Sequence, residues 1–245
     1  MIKKMIRGFA RRFGVNFCST DHLGVDVELD LARLTADQPI RQVFDVGGNF
    51  GQTALRFADA FESAKVFTFE PVPPSYKRLM AAVAGNNRIK AFNIALGDTT
   101  GSIKINLTPS AGSNTILSAQ SVTGGVDVPI ETIDSFAAKN SIECIDLLKI
   151  DVEGYELQVI EGARGIIQKG GVRYVFAECV IPEDRLAPHT RFFDLHNTLS
   201  DYGYCFVSYY GEGFRLSDGC ALGNVLYALR SALPRHASGR VKNIA

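Results

Sequence analysis

The stretch IDLLKIDVEGYE, from Ile145 to Glu156, begins as an apolar run and ends with Lys149, Asp151, Glu153 and Glu156 crowded together. A strand buried for packing alone has no use for such an end, because unpaired charge is costly to take out of water. Carboxylates so placed suit two kinds of chemistry. One can remove the proton of a weak nucleophile such as an alcohol. Alternatively, one or two can hold a divalent cation that keeps several waters. A further carboxylate, Glu178, closes the later apolar run VRYVFAEC. Asp151 and Glu178, with Glu153 beside them, are therefore the expected ligands for Mg²⁺. The expected base is one of these carboxylates, or His189 or His196. Lys149 is expected to anchor an anionic acceptor or to hold a carboxylate in place. Glu156 is expected only to complement the dipole of the helix that follows, and a purely structural use of Asp151 as a helix cap is the competing reading.

A second cluster stands earlier, in VFDVGGNFGQT. Asp45 ends an apolar strand, Gly47, Gly48 and Gly51 follow, and a helix begins. Glycines at such a turn let backbone approach a ligand, and the helix start offers free N–H donors. The next strand ends at Glu70, placed to accept hydrogen bonds from both hydroxyls of a ribose. The spacing G-G-x-x-G departs from the dinucleotide fingerprint G-x-G-x-x-G at its first step. An acid just before the glycines would repel a pyrophosphate but suits a ligand carrying an amino group and a sulfonium. The pattern thus points to S-adenosylmethionine, against the alternative of a tight turn capped by Asp45.

These residues need a frame to bring them together. From Arg41 onward, short apolar runs alternate with helical patterns: strand RQVFDVGG, helix Gln52 to Phe61, strand AKVFTFEP, helix Ser75 to Ala84 and strand RIKAFNIAL. GSIKINL and VDVPIE read as further strands, with a helix starting near Thr132. IDLLKID, a helix from Tyr155 to Gln168, VRYVFAEC, a helix from His189 to Tyr202, and a closing pair of strands complete the series. Strands alternating with helices imply βαβ units and a mainly parallel sheet. The stretch Thr108 to Gly125, rich in Ser, Gly and Thr, reads as a loop near the site. Residues 1–40 read as a helical extension, 41–230 as the catalytic domain and 231–245 as a basic tail.

Composition narrows the function. Twenty-six basic and twenty-six acidic side chains give a formal net charge of zero, which argues against a general nucleic-acid binder. The five cysteines are scattered without a CxxC pair, so a zinc or redox site lacks support and a reducing, cytoplasmic setting is expected. The N-terminus MIKKMIRGFARRFGVNF spaces Ile2, Met5, Ile6, Phe9 and Phe13 helically among lysines and arginines. Such a basic amphipathic helix either packs on the domain or rests on an anionic membrane face.

The blocks VFDVGGNFGQTALRFA, VFTFEPVPPSYKRL, FNIALGD, VPIETIDSF and LLKIDVEGYELQVIEGA together resemble the FkbM family of S-adenosylmethionine-dependent methyltransferases. They run in family order from Val43 to Ala163. Gly48 departs from the pattern, since the family often has alanine there. The resemblance implies an α/β class I methyltransferase (Rossmann-like) fold, with a seven-stranded, mainly parallel sheet, its last strand antiparallel, and helices on both faces. It implies that Asp45, Gly47, Gly48, Asn49 and Gly51 surround the methionine part of the cofactor, that Glu70 holds the ribose, and that Ala95 and Leu96, with Asp98 a weaker candidate, flank the adenine. The expected activity is O-methylation of a sugar hydroxyl in a glycan, glycolipid or glycosylated metabolite. The alternatives are methylation of a small polyketide or peptide product, or a scaffold that keeps the fold without turnover. The expected partner is a small-molecule or glycan acceptor, and no nucleic acid.

Overall fold

The computed structural model describes residues 22–105, 125–181, 189–211 and 221–234. The expected basic N-terminal helix, nearly all of the loop before Gly125 and most of the C-terminal tail lie outside the described residues.

Helix α1 (Val27–Leu34) is capped by Asp26, whose carboxylate accepts from Leu29 N at 3.0 Å. It is part of the core rather than an appendage: Val27 and Leu31 are buried against the sheet. There follow β1 (Gln42–Val46), α2 (Gln52–Ala60), β2 (Lys65–Phe69), α3 (Pro73–Ala82) and β3 (Ile89–Phe92). The middle of the chain forms β4 (Ala95–Leu96), β5 (Gly101–Ile105), β6 (Val126–Glu131) and α4 (Ile133–Lys139). The remainder is β7 (Ile145–Ile150), α5 (Glu156–Gly162), α6 (Arg164–Gln168), β8 (Val172–Ile181), α7 (Phe192–Asp201), β9 (Tyr204–Gly211) and β10 (Ala221–Leu229).

Seven strands form one sheet in the order β3-β2-β1-β7-β8-β10-β9. All neighbours are parallel except β10, which runs antiparallel to both β8 and β9. Every residue of β7 is buried, which is why IDLLKI does not alternate between apolar and polar positions; its two charged residues, Asp146 and Lys149, are buried as well. Helices α4 to α7 cover one face and α1 to α3 the other. On the first face Phe136 of α4 stands edge-on to Phe69 and Phe92, with ring centroids 4.9 Å apart in each pair, a favoured aromatic geometry. The strand order reverses between β1 and β7, the switch point where open α/β sheets bind ligands beyond their carboxyl ends.

Three elements differ from the sequence reading. RIKAFNIAL is not one strand: it breaks at Asn93, whose side-chain amide donates to Glu70 O at 2.8 Å and Pro71 O at 2.9 Å. Ala95 and Leu96 instead join a small separate sheet, β4-β6-β5. The helix expected from Tyr155 to Gln168 is two helices that break at Ala163. The helix expected from His189 begins only after Arg191, because Thr190 is occupied: its carbonyl accepts from Val180 N at 3.0 Å and its hydroxyl donates to Glu156.

Candidate functional site

A cavity opens at the carboxyl ends of β1, β2, β7 and β8. Its lining includes Gly47, Asn49, Glu70, Ala95, Leu96, Asp151, Glu153 and Glu178. Residues expected at both the cofactor and the reaction thus share one space, although they come from segments more than a hundred residues apart.

The turn after β1 is built to come close to its neighbours. Gly47 adopts φ +86°, and a Cβ there would stand 1.8 Å from Asp151 O, so only glycine fits. Gly47 N and Gly48 N both donate to Phe69 O, at 3.0 and 2.9 Å. Asn49 also takes a left-handed conformation, φ 47°, and its N–H donates to Glu70 Oε2 at 2.8 Å. The other oxygen, Oε1, accepts from Val72 N at 2.9 Å. Each carboxylate oxygen of Glu70 thus keeps acceptor capacity toward the cavity. Burial raises the Glu70 pKa to about 7, against the pull of the Val72 and Asn49 N–H groups.

Asp45, Gly48 and Gly51 are absent from the cavity lining. The Asp45 side chain is fully buried below the turn and Oδ2 accepts from Thr68 Oγ1 at 2.9 Å. Its Oδ1 lies 3.4 Å from Lys149 Nζ, which is also 3.3 Å from Asp151 Oδ2 and 3.3 Å from Gly47 O. Lys149 is only 4% exposed. Of the two uses expected for it, the geometry therefore favours holding carboxylates in place. Burial lowers the pKa of its ammonium, but Asp45 and Asp151 raise it by more, and Lys149 stays charged. The cation-attracting acid expected at Asp45 already has a cation of the protein's own. Gly48 belongs to the same arrangement, since a Cβ there would sit 2.2 Å from Thr68 Oγ1.

The stretch 151–156 is organised by Glu156, which does more than complement a dipole. Its buried Oε1 accepts from Val152 N at 3.0 Å and Gly154 N at 3.2 Å, while Oε2 accepts from Thr190. One carboxylate thus ties the loop bearing Glu153 to the segment bearing His189. Glu153 is held at φ 56°, a strained conformation for a residue with a Cβ and a common mark of functional sites. Burial, followed by the neighbouring Glu178 and Asp151 charges, raises the Glu153 pKa to about 7. His189 Nδ1 stands 3.7 Å from Glu178 Oε2 and 3.9 Å from Glu153 Oε2. Glu178, its nearest carboxylate, raises the imidazole's pKa, and Glu153 adds to this.

Among the described residues, the one group of three or more donors close enough to share a metal ion is Glu153, Glu178 and His189. Asp151, expected to share Mg²⁺ with Glu178, is not a member of this group; its Oδ2 faces Lys149 Nζ at 3.3 Å, and it lines the same cavity as Glu178. His196 is not a member of this group: its Nδ1 lies 3.0 Å from Tyr227 Oη and its ring stacks on Phe192. Asp98 accepts from Tyr155 Oη at 3.2 Å. The sequence reading missed Asn93 and the hub role of Glu156. An asparagine inside an otherwise apolar strand pattern was the available signal for the first; nothing local signals the second.

The sheet order, with one antiparallel strand inserted next to the carboxyl-terminal edge, and a ligand cavity at the switch point define the class I methyltransferase fold. Within that class the chain belongs to the family described as the methyltransferase FkbM domain, whose pattern matches residues 45–206. It is 28% identical over 160 residues to 2-O-methyltransferase NoeI of Sinorhizobium fredii, an alignment spanning 58% of this chain and 64% of that protein. It is 26% identical over 178 residues to the hexuronic acid methyltransferase AglP of Haloferax volcanii, spanning 71% and 72% respectively. The chain spans less than two thirds of NoeI, and likewise 65% of methyltransferase sdnD of Sordaria araneosa. Among solved structures, the fibrillarin pre-rRNA processing protein of Methanococcus jannaschii superimposes with a TM-score of 0.46 at 14% identity, covering 78% of this chain and 66% of that one. No helix among the described residues is long and apolar enough to cross a membrane.

Proposed function

We propose that the chain transfers the methyl group of S-adenosylmethionine to a sugar hydroxyl of a glycan, glycolipid or glycosylated metabolite. The observation that carries this reading is the position of Glu70. Its carboxylate is fixed by two backbone N–H groups and lines the same cavity as Asp151 and Glu153. In this reading Glu70 accepts the ribose hydroxyls, Gly47 and Asn49 approach the methionine part, and Ala95 and Leu96 flank the adenine. Asp45, Gly48 and Gly51 act from below by shaping the turn. The relatives named as a 2-O-methyltransferase and a hexuronic acid methyltransferase support a sugar acceptor.

The acceptor oxygen forms a bond to the methyl carbon as the sulfur–carbon bond breaks, leaving S-adenosylhomocysteine. The proton of the hydroxyl passes to a carboxylate of the pair Asp151 and Glu153. Lys149 holds Asp151 in place from 3.3 Å, and positioning of acceptor against methyl contributes much of the rate. Of the carboxylates expected to hold Mg²⁺, Glu178 and Glu153 lie close enough to share a cation.

Titration of S-adenosylmethionine into wild type and Glu70→Ala, followed by detection of S-adenosylhomocysteine with a panel of methyl glycosides, tests the reading. Wild type should bind, Glu70→Ala should bind at least tenfold more weakly, and some glycoside should be turned over. Absence of cofactor binding by wild type overturns the methyltransferase reading. Turnover of non-sugar alcohols alone overturns the choice of acceptor.

A further inference from the structure

We infer that Glu153, Glu178 and His189 form a binding site for a divalent first-row transition metal at the reaction end of the cavity. The three donors come from separate segments: the loop after β7, the carboxyl end of β8 and the segment before α7. Their ligand atoms all lie within 4.8 Å of one another. The group is not an exposed acidic patch, since the side chains are 19%, 16% and 19% exposed respectively.

The second observation is the state of the imidazole. His189 Nδ1 is shielded from solvent and has no hydrogen-bond partner. Its distances to the two carboxylates, 3.7 and 3.9 Å, are too long for a direct hydrogen bond. They are the right length for ligands arranged around an ion. With metal–ligand bonds of about 2.1 Å, two donors stand roughly 3.0 Å apart at a right angle and about 4.2 Å apart when opposite. The observed separations fall between these limits. An ion placed among the three would satisfy the orphaned nitrogen and neutralise two carboxylates that otherwise repel each other.

Donor chemistry selects the ion. Mg²⁺ prefers an all-oxygen shell, whereas one imidazole with two carboxylates suits Mn²⁺, Fe²⁺, Co²⁺ or Zn²⁺. Three protein ligands leave coordination positions open, and Glu153 and Glu178 both border the cavity, so the open side faces the place of the acceptor. Glu156 is the positioning residue, since it fixes both the Glu153 loop and the His189 segment. The use of the ion rests on the methyl-transfer reading: a metal-held Glu153 leaves Asp151 as the carboxylate that takes the acceptor's proton. The binding of the ion does not depend on that reading.

Full-length protein, freed of metal by chelation, is titrated with Mn²⁺ at pH 7.5 and followed by calorimetry and electron paramagnetic resonance. Wild type, Glu178→Gln, Glu153→Gln and His189→Ala are compared, with circular dichroism confirming that each is folded. S-adenosylmethionine is titrated separately into each protein. One Mn²⁺ should bind wild type with micromolar affinity, at least tenfold more tightly than Mg²⁺. Each variant that folds should lose at least tenfold. The inference is overturned if wild type takes up no Mn²⁺ below about 1 mM while still binding S-adenosylmethionine, in which case His189 is a protonated bridge between two carboxylates. Mn²⁺ binding that survives in all folded variants also overturns it. Mn²⁺ binding without S-adenosylmethionine binding upholds the metal site and removes the methyltransferase reading instead.

Discussion

Replacing Lys149 by methionine tests the buried charge cluster most directly. Methionine keeps the volume and removes the ammonium that serves Asp45, Asp151 and Gly47 O at 3.3 to 3.4 Å. Asp151 is partly exposed, so water can compensate it, but the Asp45 side chain is fully buried and retains only the Thr68 hydroxyl. Leaving one partner of a buried pair uncompensated costs about 3–5 kcal/mol. In a chain of this length each kcal/mol lowers Tm by about 2–4 °C, so Lys149→Met should melt roughly 10 °C below wild type. In the variant the lone Asp45 resists ionisation, so its folded pKa lies above its unfolded one. Its cost is therefore present at neutral pH and relieved as pH falls toward 5. Adding Asp45→Asn removes the unpaired charge and should recover about half of the loss. Thermal melts by circular dichroism, with urea unfolding at pH 7.5 and 5.5, measure both effects. A single variant within about 1 kcal/mol of wild type, or two substitutions whose effects simply add, would refute the coupling of these side chains.

Three further outcomes are expected. Glu70 must be ionised to accept two ribose hydroxyls, and its pKa in the free protein is raised to about 7; S-adenosylmethionine affinity should therefore be flat above pH 7 and fall about tenfold per unit below it, by calorimetry, with the slope absent in Glu70→Gln. Glu156→Ala strands the N–H groups of Val152 and Gly154; it should cost about 3 kcal/mol in urea unfolding and loosen the Glu153 and His189 segments together in amide hydrogen exchange. If residues 1–13 contact a membrane, deleting them should abolish sedimentation with anionic vesicles while leaving cofactor affinity unchanged; equal sedimentation by the truncated chain would rule out membrane contact through that segment.

The sheet was legible because its strands are buried on both faces and so appear as apolar runs, and because glycine and proline mark their ends. Thr132 was readable as a cap, and its side chain does accept from Ser135 N. What escaped the sequence depends on partners distant in the chain. Asp45 looks like a ligand for a cationic cofactor until Lys149, on the adjacent strand, is placed beside it in register. His189 looks like the start of a helix until Thr190 is seen bound to Glu156. Gly48 looks like a trivial departure from alanine until Thr68 is found occupying the space of a methyl group. Position along the chain reveals which residues end a strand, but not which of them have already satisfied one another.

Strand β10 lies between β8 and β9 although it follows both in the chain. During synthesis the strands around Asp45 and Glu70 can pair as they emerge, but β8, which carries Glu178, keeps an open side until residues 221–229 have been made. Asn224 then comes to lie opposite Glu178. Until that moment β8 presents a long row of unpaired backbone groups, the kind of edge onto which another chain can add. A single late insertion therefore pairs the strand that carries Glu178 and removes its open edge. Damage to residues 221–229 should accordingly reach the cell first as loss of soluble protein, before any loss of catalytic competence could be seen.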